Sequence, residues 1–210
     1  MSSDSESAAK ALSRPVISAV VLAAGESSRM GSDKALLMYR GKTFLENIIA
    51  ALREGCVQRV VVVLGHHAEL IQQSVDLSAV EVAVNPEYRH GQTSSLQAGL
   101  RLLAAGKLDG VMICLVDHPA ITAETVRHLI QHFNSSGEPI VIPQFEGKHG
   151  HPVLVGRNVV EQILILGPDQ GADTVIHQYR EQTEFVDVTD RGVLIDVDDP
   201  ESYLRLAAGC

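Results

Sequence analysis

Val16-Ile17-Ser18-Ala19-Val20-Val21-Leu22-Ala23-Ala24-Gly25-Glu26-Ser27-Ser28-Arg29-Met30-Gly31-Ser32-Asp33-Lys34 is the stretch on which the reading of the fold turns. Val16 to Leu22 is an apolar run long enough for one fully buried strand. It empties into small residues and glycines that carry one arginine and one lysine. Glycines let backbone N–H groups approach phosphate oxygens closely, and Arg29 and Lys34 neutralise their charge, so the pattern points to a polyphosphate. It is not a P-loop: Gly25 to Gly31 is one residue too long, and Lys34 does not follow a glycine directly. Nor does it read GxGxxG, the dinucleotide pattern. Taken alone, the stretch also fits an ordinary strand-to-loop turn with two surface cations.

Working outward, Met1 to Arg14 is serine-rich with scattered charge and reads as a disordered leader, leaving 15–210 as one domain. Downstream of the glycine loop, Thr43 with Glu46 forms a capping box for a helix whose apolar positions Phe44, Leu45, Ile48, Ile49 and Leu52 share one face. Arg59 to Leu64 is a second buried strand, stopped by Gly65 and followed by a helix from about Ala68. Val80 to Val84 is a third strand, and Thr93 or Ser94 opens a helix burying Leu96, Leu100, Leu102 and Leu103. Gly110 to Val116 is a fourth unbroken apolar run. Thr122 then starts a helix running toward Phe133, and Ile140 to Ile142 is a fifth strand. Beyond it the alternation loosens into β segments near Val153 and over Phe185 to Val188. A strand at Val193 to Ile195 and a closing helix from about Pro200 complete the chain. Strands apolar on both faces and alternating with helices imply an α/β fold of three layers, a Rossmann-like, mostly parallel sheet flanked by helices.

Composition bounds the function. The 210 residues are 45% hydrophobic and 20% charged, enough for a well-buried core. A formal net charge of −9 argues against a nucleic-acid-binding surface. Cys56, Cys114 and Cys210 have neither metal-site spacing nor an even count for a disulfide framework, and Cys114 sits in an apolar run as a core residue. No apolar segment approaches the ~20 residues of a membrane span, and no signal peptide is evident. The expectation is a cytoplasmic protein with no membrane partner.

In parallel sheets, ligands sit at the carboxyl ends of the strands, and polar groups appear there. Strand one is followed by Arg29 and Lys34, and strand two by His66-His67. Strand three leads to Asn85-Pro86 and then Gly91-Gln92-Thr93-Ser94-Ser95. Strand four ends in Asp117-His118-Pro119, where an aspartate at a strand tip suits a Mg²⁺ ligand but also fits a turn or cap. Asp196 and Asp198 alternate in an extended segment, share a face and would supply an opposing carboxylate; without partners they are a solvated acidic turn. His128 and His132, four apart on a helix, have zinc-pair spacing but no third ligand, which favours a solvated face.

Leu22-Ala23-Ala24-Gly25-x-Ser27-Ser28-Arg29-Met30-Gly31-x-x-Lys34 resembles the N-terminal motif of nucleotidyltransferases with the GT-A-like (nucleotide-diphospho-sugar transferase) fold. It is most similar to the molybdenum cofactor cytidylyltransferase branch, the MobA-like NTP transferases. Further stretches match in order: Asn85-Pro86 with Gly91-x-x-Ser94-Ser95-Leu96-x-x-Gly99-Leu100, then Asp117-x-Pro119, Gly147-x-x-Gly150-His151-Pro152-Val153, and Asp196-x-Asp198-x-Pro200-Glu201. Gly167 to Ala172 corresponds to the family's glycine-aspartate loop. The resemblance spans roughly residues 16 to 205. The first motif is shared with many sugar- and alditol-phosphate nucleotidyltransferases, whereas its combination with Gly-His-Pro and Asp-x-Asp-x-Pro-Glu is much more specific to the cofactor branch.

The resemblance implies roles residue by residue. Leu22, Ala23, Ala24 and Gly25 would hold base and ribose, with Asn85, Ser94 and Ser95 completing those contacts, and Arg29 and Lys34 would lie on the triphosphate. Ala24 stands where guanylyl-transferring relatives tend to have glycine, which favours CTP over GTP. Asp117 and Asp198, with Asp196 as a weaker second, would hold Mg²⁺. Gly150, His151, Asp169 and Gly171 would line the acceptor side. The implied reaction is attack of a molybdopterin phosphate on the α-phosphorus of CTP, with Arg29, Lys34 and Asp117 as the catalytic set, pyrophosphate as leaving group and a recipient molybdoenzyme as a partner. Transfer from GTP, transfer to a sugar or alditol phosphate, and a non-catalytic cofactor-insertion chaperone remain as alternatives. Of His149 and His151, only His151 matches the family; His118 replaces the methionine or glutamine often found between the aspartate and the proline.

Overall fold

The computed structural model describes residues 15–209, so the serine-rich leader and Cys210 lie outside the described residues. Strand β1 (Ile17–Ala23) is buried along its whole length, as an apolar run covered on both faces must be. It lies between β4 (Arg59–Leu64) and β6 (Gly110–Leu115), parallel to both. Alternate β1 side chains enter two separate cores. Ile17, Ala19, Val21 and Ala23 face helices α1 (Phe44–Glu54), α2 (Ala68–Ser74) and α4 (Ala123–Ser136). Val20 and Leu22 face α3 (Gln92–Ala104), α5 (Arg157–Leu164) and α6 (Ala172–Gln178). Period-two alternation under helices on both sides gives three layers. Gly99 lets α3 lie close, because a Cβ there would come within 2.7 Å of Val63 and 2.8 Å of Val20.

The eight-stranded sheet runs β10-β7-β9-β6-β1-β4-β5, with β8 beside β7. Its outer members are β5 (Glu81–Val84), β7 (Ile140–Phe145), β8 (Lys148–His149), β9 (Val153–Gly156) and β10 (Thr183–Asp187). Strand β9 is antiparallel to both β6 and β7 and is wedged between them. The fold is therefore the mostly parallel, helix-flanked GT-A-like arrangement expected from the sequence, with β9 and the two-residue β8 reversed. A small separate hairpin, β2 (Met38–Tyr39) with β3 (Lys42–Thr43), turns through Arg40 and Gly41. Those two residues have φ of 50° and 79°, the paired positive values of the turn that matches strand twist.

Helix ends follow local chemistry. Thr43 and Glu46 close the expected capping box on α1, and the Thr122 hydroxyl accepts from the Thr125 N–H at the start of α4. Each such cap is worth about 1 kcal/mol. Asp199 with Ser202 caps the final helix, α7 (Pro200–Ala208), with proline in its first turn.

One element differs from expectation. The strand predicted at Val193 to Ile195 is a 3₁₀ turn over Arg191–Leu194. The Asp190 carboxylate accepts from the Gly192 N–H at 2.8 Å. Gly192 lies so flat on Ala120 that a Cβ would come 2.3 Å from its carbonyl oxygen. The Val193 carbonyl accepts from the His151 N–H. With its backbone committed to a turn and to Gly150-His151, the segment has no strand partner, and Val193 buries fully and Ile195 partly without pairing. A third core patch of Met30, Phe44, Ala120, Val197 and Leu206 then pins the C-terminal segment against the glycine loop. That packing carries Asp196 and Asp198 to the carboxyl ends of β1 and β6.

Candidate active site

Lys34 is the node of this end of the sheet. It opens a 3₁₀ turn, its backbone N–H donates to Ser27 Oγ at 3.2 Å, and its side chain is only 11% exposed. Nζ donates to Asp117 Oδ2 at 3.2 Å and to Asp198 Oδ1 at 2.5 Å. Arg29 Nη2 donates to the other Asp198 oxygen at 2.8 Å, from a side chain that is 72% exposed. Burial works against the Lys34 ammonium, but hydrogen bonds and charge from Asp198 and Asp117 outweigh it and hold its pKa above the ordinary value. The same lysine, aided by Arg29, keeps the Asp198 carboxyl below the usual range. An ammonium taken out of water without such partners would cost several kcal/mol.

Asp196 belongs to a different grouping. Asp117, His118 and Asp196 each offer a ligand atom within 4.8 Å of the others. Burial, then the charges of Asp117 and Asp198, raise the Asp196 pKa. Asp117 Oδ1 is buried and has no hydrogen-bond partner, and the same holds for Nδ1 of His118 and of His151. A carboxylate oxygen left buried and unbonded beside a second carboxylate and an imidazole suits a divalent cation, so the donor set fits the metal that the resemblance implies. The His118 and His151 rings lie 4.8 Å apart. Burial lowers the pKa of both, that of His151 to about 4, so both imidazoles are neutral at pH 7.

Two clefts meet here. The first, about 380 Å³, is lined by Leu22 to Gly25, Ser27 to Arg29, Lys34, Ser95, Asp117 and Asp198. The second, about 600 Å³, is lined by Ile113, His151, Val153, Pro168 to Asp173 and Ile176. Leu22, Gly91, Gln92 and Leu115 border both. One cleft is charged and glycine-walled, the other mainly apolar with His151 and the 168–173 loop at its edge.

The remaining expected site residues divide. Leu22, Ala23, Ala24, Gly25, Arg29, Lys34 and Ser95 line the first cleft, while His151, Asp169 and Gly171 line the second. Asn85 and Ser94 line neither: Asn85 Nδ2 donates to the hydroxyls of Ser94 and Ser95 at 3.0 Å each, bracing the start of α3 from behind. Gly150 lines neither cleft. Its N–H donates to the Pro143 carbonyl, and a Cβ there would come 2.3 Å from the Val193 carbonyl oxygen, so it lets two backbones touch and orients His151. His66 and His67 lie with ring centroids 3.7 Å apart, tilted by 35°, and bond outward, His66 Nδ1 to the Tyr88 hydroxyl and His67 Nδ1 to Asp33. His128 and His132 are half-buried rather than solvated, with Nε2 atoms 3.0 Å apart and His132 Nδ1 on Glu184. Cys114 is buried in the core as expected. The sequence pattern includes Gln92 at a strand end without giving it a role and does not single out Tyr88; both line the first cleft. The signal for Gln92 was Gly91 directly before it, a break that presents the first residue of α3 to both clefts.

A family model described as MobA-like NTP transferase domain matches residues 19–183. A relative named nicotine blue oxidoreductase, from Paenarthrobacter nicotinovorans, is 30% identical over 91% of this chain and 97% of its own. The molybdenum cofactor cytidylyltransferase of Escherichia coli K12 is 24% identical over 90% and 94%. Among solved structures, Rv0371c of Mycobacterium tuberculosis H37Rv superposes with a TM-score of 0.81 at 28% identity, covering 94% of this chain and all of that one. The same mycobacterial protein, solved in complex with manganese, superposes at 0.75 with 27% identity over 92% and 99%. Among the described residues no helix is long and apolar enough to cross a membrane.

Proposed function

The chain belongs to the MobA-like NTP transferase family, and on that premise we propose that it transfers CMP from CTP to the terminal phosphate of a molybdopterin, releasing pyrophosphate. The observation that carries this reading is the lysine node: Nζ of Lys34 held between Asp117 and Asp198 in a glycine-walled cleft that opens onto a second, larger one. A nucleotide and a bulky acceptor fit that pair of clefts side by side, with their phosphates meeting at the shared rim of Gly91 and Gln92.

A phosphate monoester is already an anion near neutral pH, its second pKa being about 6, so no side chain has to remove a proton from the nucleophile. The task left to the protein is to position two anions against each other and cancel their charge. Ala24 and Gly25 bring backbone close to the nucleotide. Arg29, exposed and tied to Asp198 by a single hydrogen bond, is free to turn to a phosphate. Lys34 sits deeper and is fixed, a stationary positive charge beside the leaving pyrophosphate. Asp117 with Asp196 would hold a divalent cation, which when bound neutralises the triphosphate and polarises the α-phosphorus. Asp198 serves first as counter-ion to the two basic groups. On the acceptor side, neutral His151 and the loop from Pro168 to Asp173 would contact the pterin.

The relative named nicotine blue oxidoreductase favours a second reading, because it shares more identity with this chain than the cytidylyltransferase does over a similar span. In that reading the same glycine cleft would hold a reduced nicotinamide nucleotide that passes hydride to an oxidised organic substrate in the second cleft, the nicotinamide being oxidised and that substrate reduced by two electrons. One matrix separates the possibilities: CTP, GTP and ATP against metal-loaded pterin cofactor and against sugar and alditol phosphates, reading pyrophosphate, with a parallel arm reading consumption of a reduced nicotinamide nucleotide. Pyrophosphate from CTP with the pterin alone is expected. Release from GTP only, or with a sugar phosphate, replaces the substrate assignment. No pyrophosphate from any pair overturns it, in favour of hydride transfer if the nicotinamide is consumed and of an insertion chaperone if the pterin only binds.

A further inference from the structure

Outside the two clefts, α4 carries a pair of histidines that the transferase reading does not use. His128 and His132, one helical turn apart, bring their Nε2 atoms within 3.0 Å of each other, with ring centroids 4.7 Å apart and planes at 55°. Rings meeting head-on across that gap would hold their centroids farther apart, so these two are inclined to one another rather than opposed. On its other side, His132 Nδ1 lies 2.6 Å from Glu184 Oε1 on β10, the outermost strand of the sheet. Both histidines are half-buried, the His132 side chain being 36% exposed. None of the three residues lines either cleft.

We propose that His128 and His132 chelate a transition dication, Zn²⁺, through their Nε2 atoms, with Glu184 holding His132 in its ligating form. The proposal goes beyond the transferase reading and does not rest on it. The first support is spacing. Two imidazole nitrogens on one Zn²⁺, each at ~2.0–2.1 Å and at angles between square and tetrahedral, lie about 2.8–3.4 Å apart, and the observed gap of 3.0 Å falls inside that range. The second is protonation. An ionised carboxylate only accepts hydrogen bonds, so Glu184 draws the His132 proton to Nδ1 and leaves the lone pair on Nε2, the atom that faces His128. A carboxylate behind a ligating histidine fixes its tautomer and ring orientation and raises its basicity. Without an ion, His128 donates Nε2–H to that lone pair; when Zn²⁺ enters, His128 carries its proton on Nδ1 instead and no proton is lost from the pair. The third is selectivity, since imidazole suits Zn²⁺ and neighbouring transition metals, whereas Mg²⁺ keeps to oxygen. The sequence offers no third ligand at this spacing. The fold supplies a carboxylate behind one ligand in its place, and water fills the positions that face solvent. The bound ion fixes His132 on Glu184 and so clamps α4 to the edge of the sheet.

The test uses the full chain at neutral pH with no nucleotide present. Calorimetric titration with Zn²⁺ should show one more ion bound per wild-type chain than in His128→Gln or His132→Gln. Glu184→Ala should keep that ion with affinity lowered by about tenfold or more, the usual effect of losing such an outer partner. Cu²⁺, which the same ligands bind more tightly, serves as a spectroscopic stand-in, and pulsed EPR of one equivalent should show two coordinated imidazoles. Asp117→Asn disables the carboxylate group at the end of β6 and should leave the two-imidazole signal intact; its loss there would place the ion at that end of the sheet and overturn the proposal. Equal Zn²⁺ stoichiometry in wild type and both folded histidine variants, or fewer than two imidazoles in the wild-type spectrum, would also overturn it. Unchanged affinity in Glu184→Ala would strike Glu184 from the site. The wild-type spectrum decides the matter even if a variant fails to fold.

Discussion

The two clefts share a rim of Leu22, Gly91, Gln92 and Leu115, yet they are built by opposite means. The first cleft is organised by charge: two cations against Asp117 and Asp198, with ion pairs at 2.5, 2.8 and 3.2 Å. The second cleft is organised by backbone contact and burial: Gly150 pressed on Val193, His151 neutral and sequestered, and Gln97 donating to the Ile163 and Leu166 carbonyls beneath the 168–173 loop. Charge can be cancelled, rearranged and replaced by a ligand's charge, so the first cleft is suited to chemistry. Close backbone packing holds a shape without charge, so the second is suited to recognition.

That contrast makes a series of tests, the largest effect first. Lys34→Ala removes the fixed charge of the first cleft and should lower single-turnover pyrophosphate release by about 10²–10³-fold, equivalent to ~3–4 kcal/mol in the barrier, with an unchanged circular dichroism spectrum. Turnover near wild type would mean that the charged cleft is not where the reaction happens.

Acidification should act on the second cleft before the first. The folded pKa of His151 is about 4, below its unfolded value near 6.5. Above about pH 6.5 the group is neutral in both states and contributes nothing. Between about pH 6.5 and 4 the unfolded chain binds a proton that the folded chain does not, so stability falls by up to about 3 kcal/mol. Asp198 has the opposite chemistry in the same direction of pH. Its depressed folded pKa adds stability that is present above the unfolded value near 3.9 and is lost only as pH falls through the folded value. Melting curves should therefore begin to fall in the His151 window, and His151→Gln should flatten that part of the profile while leaving the loss below pH 4. Equal slopes in the two proteins would remove the distinction.

Gly150→Ala should cost about 2 kcal/mol in chemical denaturation, because the new methyl forces Val193 and the His151 segment apart. It should also raise the KM for the acceptor more than that for the nucleotide. Equal effects on both would show that the clefts are mechanically one. The smallest change is Ala24→Gly, which removes one methyl from the wall of the first cleft, just past the end of β1. The kcat/KM ratio of CTP to GTP should fall by about tenfold, the scale of one methylene in a fitted pocket; an unaltered ratio would remove Ala24 from specificity.

How legible each cleft was in the sequence follows from how it is made. The glycine loop, Arg29, Lys34 and Asp117 each stand directly after an apolar run, so the strand-end rule found them. Asp198 was found too, but its partner was not: nothing in the chain's local pattern says that it answers Lys34 and Arg29 while Asp196 turns toward His118. Asn85 and Ser94 were placed at the ligand, whereas the structure shows them bracing α3 from behind; motif position locates a residue in space without saying which way its polar atoms face. Strand β9 read as an ordinary β segment near Val153 and runs against β6 and β7, because its direction is set by the partners on either side. Val193 to Ile195 read as a strand for its β-branched residues, and the contact of Gly192 with Ala120 overrode that propensity.

The sequence by itself determined the buried strands β1, β4 and β6, the capped helices between them, the glycine loop at their carboxyl ends and the family to which the chain belongs. Those features depend on neighbours a few residues away, where periodicity and capping chemistry act. Only the tertiary structure decided that Lys34 meets Asp117 and Asp198, 83 and 164 residues distant, and that Asp196 is left to His118. Strand order and the packing of Val197 and Leu206 on Met30 and Phe44 bring those charges together, and a charge is satisfied by whichever partner the fold delivers to it.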